Sequence, residues 1–84
     1  MFVIVGTGGH AKVVCSSLRA GDFPTLVVRD DNVDLSRQIF MGASVQSPAL
    51  SLDMSGTKLH VAIGDNYIRE RLLLLGIDRG ALAF

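Results

Sequence analysis

The chain has one cysteine in 84 residues, which excludes an internal disulfide. Cys15 falls on the apolar side of a helical pattern and reads as a small core residue. The only histidines, His10 and His60, lie far apart in sequence, so no Cys/His cluster with metal-ligand spacing exists and no metal is implied. Eight basic residues offset eight acidic ones, which leaves no electrostatic case for binding nucleic acid or a membrane surface. No run approaches the roughly 20 apolar residues of a membrane span. No basic stretch precedes the N-terminal apolar run, so it reads as a strand and not a signal peptide, and a cytoplasmic location is expected. Internal repeats and low-complexity segments are absent. What is present is the composition of one folded domain. Hydrophobic residues make up 49% and charged residues 19%, enough for a modest core at a size where stability is marginal.

Strand and helix patterns alternate along the chain. Met1–Val5 is short and rich in β-branched residues, as a buried parallel strand would be. Ala11, Val14, Cys15 and Leu18 then recur at helical spacing, with Lys12, Ser16 and Arg19 opposite. Gly21 and Pro24 mark the end of that helix. Residues 25–28 predict a second strand, ending in Arg29-Asp30-Asp31-Asn32. Between 33 and 44 the pattern is ambiguous, with a short edge strand at 38–40 and a turn at Gly42. Ser47 and Pro48 predict a capped short helix running to about Met54, broken at Ser55-Gly56. Residues 58–63 predict a third strand. Asp65 or Asn66 is placed to cap a second long helix, Tyr67 to Leu75, stopped at Gly76. This order predicts a small α/β, Rossmann-like three-layer domain over 1–84, with a mostly parallel sheet and helices on both faces.

Candidate function concentrates in Gly6-Thr7-Gly8-Gly9-His10-Ala11. A strand, a glycine turn and a helix N-terminus in that order form an anion site, because backbone N–H groups and the helix dipole point at a ligand that glycine lets come close. The spacing is G-x-G-x-x-A, a variant of the dinucleotide fingerprint. A tight turn alone would also use these glycines. His10 either faces a phosphate or hydrogen-bonds the loop. Ligands of open parallel sheets bind beyond the carboxyl ends of the strands. The residues there are the glycine loop, Asp30 and Asp31, and Gly64-Asp65-Asn66. Asp30 follows Gly6 by 24 positions, about where an acid meets a ribose in dinucleotide folds. A solvated turn explains Asp30, Asp31 and Asn32 equally. His60, inside a strand, reads as a packing residue.

Val5-Gly-Thr-Gly-Gly-His-Ala-Lys-Val-Val14, Asp30-Asp31, Met41-Gly42 with Val45, and Val61-Ala-Ile-Gly-Asp-Asn66 with Arg69 resemble, in the same order, the start of bacterial sugar acyltransferases. The family is that of the sialic-acid O-acetyltransferase and pilin-glycosylation (NeuD/PglD-like) enzymes. The resemblance spans nearly the whole chain and implies the N-terminal domain that holds a nucleotide sugar, typically a UDP-amino sugar. It implies Gly8, Gly9 and His10 by the diphosphate, Asp30 and Asp31 by the uracil or ribose, and Ile63, Gly64 and Asn66 along the base; Gly6 and Thr7 of the loop complete the expected substrate-binding set. It further implies a C-terminal left-handed β-helix that binds acetyl-CoA, supplies the catalytic histidine and forms trimers. No hexapeptide repeat occurs in these 84 residues, and neither histidine matches that base. Arg29 departs from the apolar residue usual in the family. The expectation is therefore a UDP-sugar-binding domain with no catalytic residue or bound cofactor of its own, inactive without the β-helix. An NAD- or nucleotide-sensing domain is the alternative, and an interaction domain without ligand a third reading. Ile68, Leu72 and Leu75, at i, i+4 and i+7, are expected to face the sheet, and Leu73, Leu74, Ile77, Leu82 and Phe84 to form an apolar patch, covered by self-association or by the missing domain.

Overall fold

The computed structural model of the protein describes residues 1–20 and 26–83. The expectations placed on Gly21, Pro24, Thr25, Phe84 and the side chain of Arg19 lie outside the described residues. Among the described residues, β1 (Phe2–Val5), α1 (Gly9–Ala20), β2 (Leu26–Arg29), β3 (Ile39–Phe40), β4 (Ala43–Gln46), β5 (Lys58–Val61), α2 (Asn66–Asp78) and β6 (Leu82–Ala83) follow in order. The strands form one sheet, β3-β4-β2-β1-β5-β6, parallel except where β3 runs against β4. This is the expected α/β, Rossmann-like architecture.

The pleat of β1 explains its unbroken apolar sequence. Val3 and Val5 face Leu59 and Val61 of β5 and Leu72 of α2, together with Ala49, Leu50, Met54 and Ala81. Ile4 points the other way, into a cluster with Val28, Val45, Ala62 and the α1 residues Ala11 and Cys15. Both faces are covered, so neither face of the strand is polar. Ala11 and Cys15 are completely buried, one turn apart as the helical spacing predicts. The chain order then fixes where a site can form. From β1 the chain steps outward through β2 to β4, and returns to β5 on the other side of β1. The direction of progression reverses between β1 and β5, and the crevice opens at their carboxyl ends.

Three expectations are corrected. No helix spans 48–54, where the backbone makes bends around a cis Ser47–Pro48 peptide. Polar groups that a helix would have used are taken from outside the segment: Ser47 Oγ donates to the Asp30 carbonyl, the Ala49 N–H to Asp31 Oδ1, and Arg29 Nε to the Pro48 carbonyl. At the far end of that segment Asp53 Oδ1 accepts the Ser55 N–H, which holds the Asp53 carboxyl below the usual carboxylate range. Second, α2 does not stop at Gly76. That glycine is buried within the helix because a Cβ would collide with Leu59 Cδ2. The stop is Gly80 (φ +103), where Gly80 N–H bonds the Ile77 carbonyl and Ala81 N–H the Gly76 carbonyl, a Schellman closure. Third, Leu72 is the one leucine of α2 that is fully buried against the sheet. Ile68 and Leu75, expected beside it, are 38% and 39% exposed. Leu73 packs on the core, whereas Leu74, Ile77 and Leu82 are exposed. The strand β4 was not anticipated. It follows a two-residue hairpin at Met41-Gly42, both with positive φ, as a type I′ turn requires.

Candidate functional site

Gly6 leaves β1 with φ +120, and a Cβ there would lie 2.6 Å from the Ala62 carbonyl oxygen. Its N–H bonds the Arg29 carbonyl at 2.9 Å, extending the β1–β2 ladder by one residue. Gly6 thus serves the fold. Gly8 and Gly9 differ: an added Cβ at either meets no protein atom within 4 Å, and neither has a left-handed φ. Among the described residues no atom crowds a side chain at these two positions. Gly8 immediately precedes α1, its carbonyl accepting the Lys12 N–H, and Gly9 begins the helix; the first turn contains no acidic side chain, so the positive end of the helix and its unbonded N–H groups remain available to an anion.

The ends of β2 and β5 complete the site. Thr7 Oγ1 donates to Asp30 Oδ2 at 3.0 Å, and the Asn32 N–H to Asp30 Oδ1 at 2.9 Å. Asp30 therefore ties the glycine loop to the turn after β2, with both oxygens engaged. Asp31 uses Oδ1 to hold the Ala49 N–H at 2.7 Å, which leaves Oδ2 without a hydrogen bond among the described residues. Beyond β5, Asp65 caps α2 as expected, accepting the Ile68 N–H at 3.0 Å. Arg69 donates to the Ile63 carbonyl and to Asn66 Oδ1, which fixes the strand end and the helix start to each other.

A cavity of about 490 Å³ lies between these segments. Seven residues named from sequence line it: Gly6, Thr7, Gly8, Asp30, Asp31, Ile63 and Gly64. Three others do not. Gly9 and His10 sit outside it on α1, and Asn66 borders a separate hollow at the β5 edge together with His60 and Arg69. The fold also brings together the two histidines that sequence separates. The ring of exposed His10 stands 6.0 Å from that of half-buried His60, centroid to centroid. Sequence reasoning missed Ile68, Arg71 and Leu72 of α2, which close the far wall. Their i, i+3, i+4 spacing was the available signal. A wider hollow of about 620 Å³ adjoins the cavity at Asp31 and Leu72, but its arginines are committed to the loop beside it: Arg29 to the Pro48 carbonyl and Arg79 to the Ser51 carbonyl.

The arrangement can bind a ligand with an anionic group over Gly8 and a hydrogen-bonding group near Asp31. A family model described as the PglD N-terminal domain matches residues 1–74. The chain belongs to that family. It is thus related to the N-terminal domain of PglD/NeuD-like acetyltransferases, and the glycine loop, strand-end acids and Gly64 turn all lie inside the matched span. No curated protein and no solved structure matches the chain. Among the described residues no group of three or more metal-ligating side chains occurs, and no helix is long and apolar enough to cross a membrane.

Proposed function

We propose that this domain binds a UDP-amino sugar as the acceptor substrate of an acetyltransferase. The observation that carries the reading is the open space over Gly8 and Gly9 at the N-terminus of α1. Glycines with no steric or conformational need inside the protein are best explained by close approach of something outside it. One phosphate of the diphosphate lies over Gly8 and Gly9, with His10 at its outer side. The uridine extends toward Asp31, whose Oδ2 accepts from the base or the ribose, and Ile63 and Gly64 flank it. Asp30, accepting from Thr7 and Asn32, positions the loop. An NAD-binding domain asks the acid at this point of the chain to receive the ribose hydroxyls; the match to the PglD N-terminal domain favours the nucleotide-sugar reading.

On this reading the 84 residues bind and do not catalyse. Transfer of acetyl from acetyl-CoA to a sugar amine or hydroxyl needs a positioned base and an acyl-donor site, and neither is ascribed to the residues discussed above. The test is a ¹H–¹⁵N chemical-shift titration with UDP-N-acetylglucosamine. Saturable shifts are expected at Thr7–His10, Asp31 and Ile63–Gly64. Shifts confined to the α2 surface and β6, with the glycine loop unmoved, would overturn the assignment.

A further inference from the structure

Arg29 ends β2, Arg69 and Arg71 lie on α2 and Arg79 follows it; three of these four arginines are committed to protein carbonyls. Arg29 donates to the Pro48 carbonyl and the Gln46 side chain, Arg69 to the Ile63 carbonyl and Asn66, and Arg79 to the Ser51 carbonyl. Arg71 is different. It lines the glycine-loop cavity, and it forms no hydrogen bond or ion pair with another described residue. Among the described residues it is also the only cationic side chain lining that cavity, where Asp30 and Asp31 supply two carboxylates. An anionic ligand entering there meets two negative charges, and besides the helix N-terminus only Arg71 offsets them.

Helical geometry places Arg71 at the rim of the cavity, where it also borders the outer face of α2 beside Tyr67, Glu70 and Leu74. It lies one turn beyond Ile68 and beside Leu72, both of which line the same wall. That wall and the glycine loop line one cavity, so a ligand anchored on the loop by one phosphate can present its second phosphate to Arg71. We infer that Arg71 binds the second phosphate of the ligand and makes this cavity selective for nucleoside diphosphates over monophosphates. A guanidinium suits that task, since its fork of donors matches two phosphate oxygens at once. The inference rests on the nucleotide-sugar reading of the site and adds to it a residue on α2 with a defined job.

Calorimetric titration of the 84-residue protein and of Arg71→Gln with UDP and with UMP tests this. Arg71 is exposed, so its replacement leaves the fold intact, which the unfolding midpoint verifies. The parent is expected to prefer UDP over UMP by about tenfold or more, as one charged hydrogen-bonding contact provides. In Arg71→Gln the preference falls to about threefold or less, because UDP loses more affinity than UMP, and Arg71→Lys recovers part of it. Parental discrimination retained by Arg71→Gln overturns this inference and leaves the nucleotide-sugar reading standing. A parent that binds neither nucleotide overturns both.

Discussion

Replacing Gly6 by alanine places a Cβ 2.6 Å from the Ala62 carbonyl oxygen and 3.2 Å from its carbon, on a residue with φ +120. The dihedral alone costs an L-residue about 1–3 kcal/mol. Relieving the overlap means displacing backbone that is bonded to β1, since the Ala62 N–H holds the Val5 carbonyl at 2.8 Å; overpacking of this kind adds about 1–3 kcal/mol. A domain of this length has roughly 4–13 kcal/mol of stability in all. A loss of about 3 kcal/mol or more therefore lowers the thermal midpoint by about 12 °C or more. Gly8→Ala meets no neighbour and has no left-handed φ, so its stability stays within about 0.5 kcal/mol of the parent. Its affinity for UDP-N-acetylglucosamine falls at least about tenfold, because the methyl occupies the space the phosphate needs. Urea and thermal unfolding, with calorimetry on the same samples, read both effects. A Gly6→Ala protein that melts with the parent refutes the packing argument. A Gly8→Ala protein that binds with parental affinity refutes the ligand argument.

Other outcomes follow from the same geometry. Gly76→Ala gains about 1 kcal/mol of helix propensity but forces a methyl onto buried Leu59, for a net destabilisation of about 1–2 kcal/mol in urea unfolding. Thr7→Val removes the bond to Asp30 and costs about 1 kcal/mol of stability; UDP affinity falls with it if Asp30 positions the loop, and UDP affinity that does not change argues against that role. Asp53 should titrate below an ordinary aspartate by NMR, since the Ser55 N–H favours its charged form. A depressed folded-state pKa means its contribution is present above the unfolded-state value and fades as pH falls through the folded one. Asp53→Asn should therefore lose stability at neutral pH and converge with the parent in acid.

The sheet and the principal site segments were legible because each carries a local signal. The apolar run of Phe2–Val5, the period of Ala11 and Cys15, and Asp65 ahead of α2 state their own conformations. The segment from 47 to 54 was misread because Ser-Pro is a helix-start signal only when the N–H groups that follow need helical partners. Here Asp31 and Arg29, distant in sequence, bind that backbone instead. Gly76 was misread for a similar reason. Its lack of a side chain answers to Leu59 on β5, which no window along α2 contains. In the site, the glycine loop, Asp30 and Asp31, and Ile63-Gly64 were recoverable from fingerprint spacing and strand ends. Arg71 and the proximity of His10 to His60 depend on how α2 and β5 pack, and only tertiary structure shows them.

The central claim is that the crevice at the end of β1 holds a nucleotide sugar. Isothermal titration of the 84-residue protein with UDP-N-acetylglucosamine and, separately, with NAD tests it most directly. The account predicts saturable binding of the UDP-sugar at one molecule per chain and markedly weaker binding of NAD. Tighter binding of NAD, or no heat and no saturation with the UDP-sugar, would contradict it.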